Sequence, residues 1–370
     1  MSRDINRRGV LSLALAAGAA SVAPIRAVPA AVSRTAGAEQ SGATVAPGVD
    51  PRSLIPPELL RPLDEELAKH GKLELNASTL PALRKRDAAE TPPIHSGDVQ
   101  QRVIPGPIGM PDLNVYVINA FNKKGGRKPA ILHIHGGGYV RGSAAAVVPD
   151  LQRIAHELDC VVISVDYRLA PDTAFPGSLE DNYAALKWLW SSAAQLGIDT
   201  KRVAVMGESA GGGHAAMLAI AVRDRKEFTL VAQVLIYPML DDRTGSSRSV
   251  PAHIGAYIWT PASNRFGWSS LLGQAAGSET VPYGSVPARV SDLSRLPPTF
   301  IGVGAVDLFV EEDIQYANRL ICAGVPVELL VVPGAYHAFD LIATDATATH
   351  EFRAAQVGAL RRAFGFMNRG

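Results

Sequence analysis

The segment Gly207-Glu208-Ser209-Ala210-Gly211 places a serine between glycines, directly after the apolar run 203–206 and directly before a helical pattern over 210–225. A sharp strand-to-helix turn of this kind presents a hydroxyl at its tip, and small neighbours let the backbone close up behind it. Such a serine attacks carbonyl carbon only if a base takes its proton and a further group holds that base in one tautomer. His337 follows the apolar run Val327–Val332, and Asp307 follows the run 299–303, so both stand where late strands end. A fourth element, His135-Gly136-Gly137-Gly138, closes the run 130–134; its bare backbone offers N–H donors to an oxygen that becomes negative as a tetrahedral intermediate forms. The same glycines could form a plain tight turn or a phosphate loop, but the Gly-Lys-Ser/Thr ending of a Walker sequence is missing. Together these residues point to acyl transfer through Ser209, with His337 as base and Asp307 as its orienting acid.

Other residues of the same types are less well placed. His70, His95 and His156 come before the serine, His214 lies inside the helix that follows it, His253 falls in an irregular stretch, and His350 lies in a terminal helical pattern. Glu311, Glu312 and Asp313 stand close enough to Asp307 in the chain to compete with it.

The elements that position these groups read as strands at 99–104, 113–118, 130–134, 160–165, 203–206, 231–236, 299–303 and 327–332, with helical patterns at 179–195, 210–225, 311–323 and 346–366. Apolar strands alternating with helices require a largely parallel sheet covered on both faces, and a hairpin of the two early strands makes it mixed. This predicts an α/β protein with a sheet of about eight strands flanked by helices. Leu59, Leu60, Leu63 and Leu67 recur at helical intervals, and a second short helix is predicted at 79–86. The stretch 241–297 loses the strand–helix alternation; 251–272 reads as a helical lid element, with Tyr257, Trp259, Phe266 and Trp268 as candidate substrate-contacting aromatics. The expected organisation is an export signal at 1–30, a mobile leader at 31–50, an N-terminal cap segment at 51–95 and a catalytic domain at 96–370 that includes a second cap segment at 245–290.

Formal charge is +1, with 47% hydrophobic and 19% charged residues, which suits a globular domain and excludes a nucleic-acid surface built on net positive charge. Arg7-Arg8 before the apolar run 10–23, with Val28 and Ala30 behind it, resembles a twin-arginine export signal and predicts a bacterial periplasmic or secreted protein without stable membrane insertion after cleavage. Cys160 and Cys322 are expected as two buried thiols, not a disulfide. Dispersed histidines form no metal-ligand pattern, and His133 with His135 fits a strand leading into the glycine loop better than a metal pair. No cofactor or metal is called for by the serine chemistry.

The chain closely resembles the hormone-sensitive-lipase-like, or bacterial family IV, branch of the α/β-hydrolase esterases. The resemblance covers about residues 100–368 and rests on HGGGYVRGS at 135–143, VDYRLAPDTAFPG at 165–177, GESAGGG at 207–213, YPMLDDRT at 237–244 and DLFVEEDIQYANRL at 307–320. It implies an α/β-hydrolase fold with a helical cap, a triad of Ser209, Asp307 and His337, and an oxyanion hole from the backbone N–H groups of Gly137, Gly138 and Ala210. It also implies a serine carboxylesterase for soluble short- to medium-chain esters, and permits a homodimer. Glu208 stands where the family more often has Asp, which leaves its role open. The triad does not identify the leaving group, so an amidase or a lactonase uses the same residues. A non-catalytic small-molecule binding protein on this fold is the reading from a different class, and the complete triad speaks against it.

Overall fold

The computed structural model describes residues 48–72, 75–94, 97–120 and 126–366. The expected export signal and most of the expected mobile leader lie outside these residues. Pro57–His70 forms helix α1, with Leu59 and Leu63 buried, and Leu80–Glu90 forms α2. Strands β1 (Val99–Ile104) and β2 (Leu113–Ile118) pair antiparallel. They are followed by β3 (Lys128–Ile134), α3 (Val148–Glu157), β4 (Val161–Asp166), α4 (Gly177–Ser191), the short α5 (Ala193–Leu196) and β5 (Ile198–Glu208). The second half of the chain supplies α6 (Ala210–Arg225), β6 (Ala232–Ile236), α7 (Pro261–Leu272), β7 (Thr299–Gly304), α8 (Val310–Cys322), β8 (Val327–Val332), α9 (Phe339–Ile342) and α10 (Thr347–Ala363).

The eight strands form one sheet in the order β1-β2-β4-β3-β5-β6-β7-β8. β2 also runs antiparallel to β4, and every other neighbouring pair from β4 to β8 is parallel. The near-continuous apolar composition of the central strands follows from burial on both faces. Ala130, Leu132, Val203 and Val205 project into one core with residues of α4, α6 and α8, while Ile131, Ala204 and Met206 project into a second core with α1, α3 and α10. Burying this much apolar surface on two sides dominates the stability of such a layered fold.

Two details differ from the sequence-based expectations. The helix expected over 251–272 occupies only Pro261–Leu272: Thr260 caps it by accepting from the Ser263 N–H, and Pro261 fits the first turn, where its missing N–H is harmless. Cys160 is buried, but Cys322 is exposed, because it ends α8 beyond the face that buries Tyr316 and Leu320; both are free thiols. Among the described residues no helix is long and apolar enough to cross a membrane.

Candidate active site

β5 ends at Glu208 and α6 begins at Ala210, leaving Ser209 alone to make the turn, with φ 56° and ψ −120°. A non-glycine residue in that region is strained and persists only where its surroundings hold it. Here the Ser209 N–H donates to the Ile236 carbonyl at 2.8 Å, and the Ser209 carbonyl accepts from Gly213 and Met239, each at 3.0 Å. The flanking glycines are required by contact. A Cβ on Gly207 would come within 2.3 Å of the Gly211 carbonyl oxygen, and one on Gly211 within 2.0 Å of that of Ile134.

His337 stands in the loop after β8, with Nε2 2.9 Å from Ser209 Oγ and Nδ1 2.8 Å from Asp307 Oδ2. Asp307 comes from the loop after β7, is fully buried, and accepts with Oδ1 from the Phe309 N–H at 3.0 Å. The rings of Tyr237 and Phe309 meet the imidazole edge-on at 4.9 and 5.2 Å, fixing its plane. Of the neighbouring acids, Glu311 and Glu312 are engaged elsewhere. Glu312 accepts from the backbone N–H groups of Leu240 and Asp241, Glu311 is exposed and bonds Gln315, and burial pushes the Asp313 carboxyl well above the usual carboxylate range.

The glycine loop lies directly against this turn: a Cβ on Gly136 would meet the Glu208 carbonyl oxygen at 2.9 Å and Ser209 Cβ at 3.4 Å. Gly137 has φ +120° and Gly138 φ +62°, and a side chain on Gly138 would strike the Trp259 ring at 2.1 Å. The loop is anchored from several sides. Tyr167 stacks on His135 at 4.3 Å and donates its hydroxyl to the His135 carbonyl, while Tyr139 donates to the Met239 carbonyl. Burial lowers the His135 pKa, so this ring is a neutral packing element. Ala210 is buried at the first position of α6, where backbone N–H groups have no partner within the helix.

A cavity of about 370 Å³ opens at this point, and Gly136, Gly137, Gly138, Ser209 and His337 are among its walls. Residues 131–341 match the family described as alpha/beta hydrolase fold. The chain belongs to the α/β-hydrolase family. The branch is the hormone-sensitive-lipase-like one. This hydrolase is 34% identical over 240 residues to the carboxylesterase NlhH of Mycobacterium tuberculosis, spanning 64% of this chain and 74% of that protein. It is 34% identical over 223 residues to an ethyl acetate hydrolase of Pseudomonas putida, spanning 57% and 65% of the two chains. The solved structure of a bacterial heroin esterase superposes with a TM-score of 0.76 at 32% identity, covering 85% of this hydrolase and 99% of that chain.

Of the four aromatics singled out in the sequence, the structure brings Trp259 to the cavity wall of this hydrolase. Tyr257, Phe266 and Trp268 are not among the wall residues; Trp268 is fully buried, with its ring 5.0 Å from that of Tyr139, where it seats α7 on the glycine loop. The walls instead draw on α3, α9 and α10, including Leu151, Ile154, Asp340, Arg353 and Gln356. Sequence reasoning passed over these residues. The signal for α3 was present in Val148, Leu151, Ile154 and Ala155, all buried on one face.

The N-terminal helices reach the site from outside. α1 packs toward the loop that carries His337, where the Tyr336 hydroxyl donates to the Leu59 carbonyl at 3.1 Å. In α2, Arg84 donates to the carbonyls of Val140 and Ala170, each at 2.8 Å, and pairs with Asp172 at 2.7 Å. Asp87 accepts from Arg141 Nε at 2.7 Å and from a second guanidinium nitrogen. Both arginine links end on the segment that continues the glycine loop.

Proposed function

We propose that this protein is a serine carboxylesterase acting on soluble short- to medium-chain esters through an acyl-enzyme. The observation that carries the reading is the continuous line from Asp307 through His337 to Ser209 Oγ, at 2.8 and 2.9 Å, opening on the cavity lined by the glycine loop. The esterase names of the relatives support the same chemistry.

In this reading His337 Nε2 takes the proton of Ser209 as Oγ attacks the ester carbonyl. Asp307 keeps Nδ1 protonated and stabilises the imidazolium without taking the proton. The N–H groups of Gly137, Gly138 and Ala210 receive the developing oxyanion. His337 then protonates the leaving alcohol, activates water, and accepts its proton as the acyl-enzyme is cleaved. A cavity of about 370 Å³ with Val147, Leu151, Ile154 and Ile342 on its walls suits a modest acyl or alcohol chain. The segments 51–95 and 245–290 act as the cap in this reading, excluding water while the acyl-enzyme lasts.

Labelling with a fluorophosphonate, followed by mass spectrometry, tests the nucleophile: one equivalent on Ser209 is expected, and none on Ser209→Ala. Initial rates on esters, amides and lactones matched in chain length test the leaving group; faster turnover of the amides or lactones would replace this reading. From Arg7-Arg8 and the apolar run behind them we also infer action outside the bacterial cytoplasm. Cell fractionation of an Arg7→Lys, Arg8→Lys variant tests this, with cytoplasmic retention expected.

A further inference from the structure

On the proposed function the Gly138 N–H stands where the oxyanion forms, and it donates to no other group among the described residues. The rest of the glycine loop is held from within or by the Ser209 turn. Gly136 packs on Ser209, and the Gly137 carbonyl accepts from the N–H groups of Val140 and Arg141 at 3.2 and 3.1 Å. Gly138 is instead flanked by two groups from the segment 245–290. On its α-carbon side lies the Trp259 ring, 2.1 Å from where a Cβ would stand. On its carbonyl side lies Gly267 of α7, so close that a Cβ there would come within 2.6 Å of the Gly138 oxygen.

Both flanking groups are themselves fixed. Trp259 is buried, and its Nε1 donates to Asn264 Oδ1 at 3.2 Å; Asn264 is fully buried and donates with Nδ2 to the Thr244 carbonyl at 2.8 Å. An indole N–H only donates and a carbonyl only accepts, so the amide between them has one orientation. Asn264 and Gly267 stand three residues apart on α7 and share one of its faces. Thr244 belongs to the segment after β6 in which the Met239 N–H donates to the Ser209 carbonyl at 3.0 Å. One run of contacts thus leads from the Ser209 turn through Thr244, Asn264 and Trp259 to Gly138.

We propose that Asn264 and Gly267 are positioning residues that hold the Gly138 donor in place, which makes α7 a fixed wall of the oxyanion site. This rests on the esterase reading above and deepens it: the segment 245–290 serves the chemical step as well as covering the cavity. Neither residue lines the cavity, so loss of a substrate contact does not account for an effect of changing them. Donors fixed in advance act on charge that develops in the transition state, so displacing Gly138 lowers kcat more than it raises KM.

The test measures kcat and KM for p-nitrophenyl butyrate, and the affinity of butylboronic acid read from its protection of Ser209 against a fluorophosphonate. The proteins are the wild type, Gly267→Ala, Asn264→Leu, Trp259→Phe and the double variant Trp259→Phe, Asn264→Leu, each checked for folding by circular dichroism. Gly267→Ala is expected to lower kcat and boronate affinity together by roughly tenfold or more, with KM within about twofold, although alanine is the better helix former. Asn264→Leu adds no bulk against the loop and stands in if Gly267→Ala does not fold; the same paired loss is expected. In the Trp259→Phe background, which lacks the indole N–H, Asn264→Leu is expected to change kcat by less than about twofold, because its link to Gly138 is already cut. A residue that served only folding would act alike in both backgrounds. Folded variants with boronate affinity within twofold of the wild type, losses confined to KM, or equal losses in the two backgrounds would overturn the proposal. The boronate series needs no turnover: a wild type that binds boronate but cleaves no ester would refute the esterase reading, and the series would still decide the role of α7.

Discussion

His133 Nε2 lies 2.9 Å from both carboxylate oxygens of Glu208, the residue that immediately precedes Ser209. The other ring nitrogen is 3.1 Å from Ser164 Oγ. Ser164 belongs to β4, His133 to β3 and Glu208 to the end of β5, so one buried imidazole ties three adjacent strands together behind the Ser209 turn. This gives Glu208 a positioning role. Glu208→Ala should strand a buried ring nitrogen, costing about 1–3 kcal/mol, and lower kcat more than it raises KM; Glu208→Gln should fall between it and the wild type. Urea unfolding together with steady-state kinetics measures both effects.

On the proposed function, the links from α2 to the glycine-loop segment predict coupling between the N-terminal helices and the donors of the glycine loop. Arg84→Met removes donors to Val140, Ala170 and Asp172, and Asp87→Asn loosens Arg141. Each should lower kcat/KM roughly tenfold, as expected for loss of a charge-assisted hydrogen bond that matters in the transition state. Affinity for a boronic acid that mimics the tetrahedral state should drop in parallel. A variant with normal boronate affinity and a changed KM alone would assign α2 to substrate binding only.

His214 predicts a specific acid sensitivity. It is fully buried between the rings of Tyr139 and Tyr167, and burial pushes its pKa down to about 3. Its folded-state pKa is below the unfolded value, so its contribution to stability is complete above about pH 6.5. That contribution is lost as pH falls toward 3, with a slope of at most about 1.4 kcal/mol per pH unit. His214→Gln should therefore flatten the decline of melting temperature between pH 6.5 and 4, measured by calorimetry against the wild type.

Asp340 acts with the opposite sign. Burial pushes its carboxyl up to about 6, although the Tyr237 hydroxyl bond works against the shift. A raised folded-state pKa gives stability that is present below the unfolded value near 4 and lost as pH rises through 6. Asp340→Asn removes this loss, so its stability relative to wild type should improve from pH 4 to pH 8, by up to about 3 kcal/mol for a shift of about two units. Chemical denaturation at the two pH values gives the difference directly.

Much of this arrangement was legible in the chain. Ser209, Asp307 and His337 each follow a short apolar run; those before Ser209 and Asp307 are buried on both faces of the sheet, while the run before His337 is a half-exposed edge strand marked by its valines and leucines. β8 occupies Val327–Val332 as read from the sequence. The cavity walls were harder to see. α3 begins Val148-Pro149, and a proline reads as a breaker unless it is placed at the first turn, where a helix tolerates it. Gln356 lies in an ordinary amphipathic helix, and nothing local distinguishes a glutamine facing a cavity from one facing water. Trp268 and Trp259 carry the same chemistry a few residues apart, yet only packing against Tyr139 or Gly138 decides which of them reaches the cavity.

The strand order carries a consequence for how the chain comes to be folded. β4 is hydrogen-bonded antiparallel to β2 on one edge and parallel to β3 on the other. The β1–β2 hairpin and β3 are made earlier in the chain but never become neighbours; each waits with an open edge for Val161–Asp166 to slide between them. Unpaired edges are where partly folded chains pair wrongly with one another. Synthesis of β4 thus closes these two edges at once, well before the loop bearing His337 exists to complete the line to Ser209, and leaves the far edge of β3 to wait for β5.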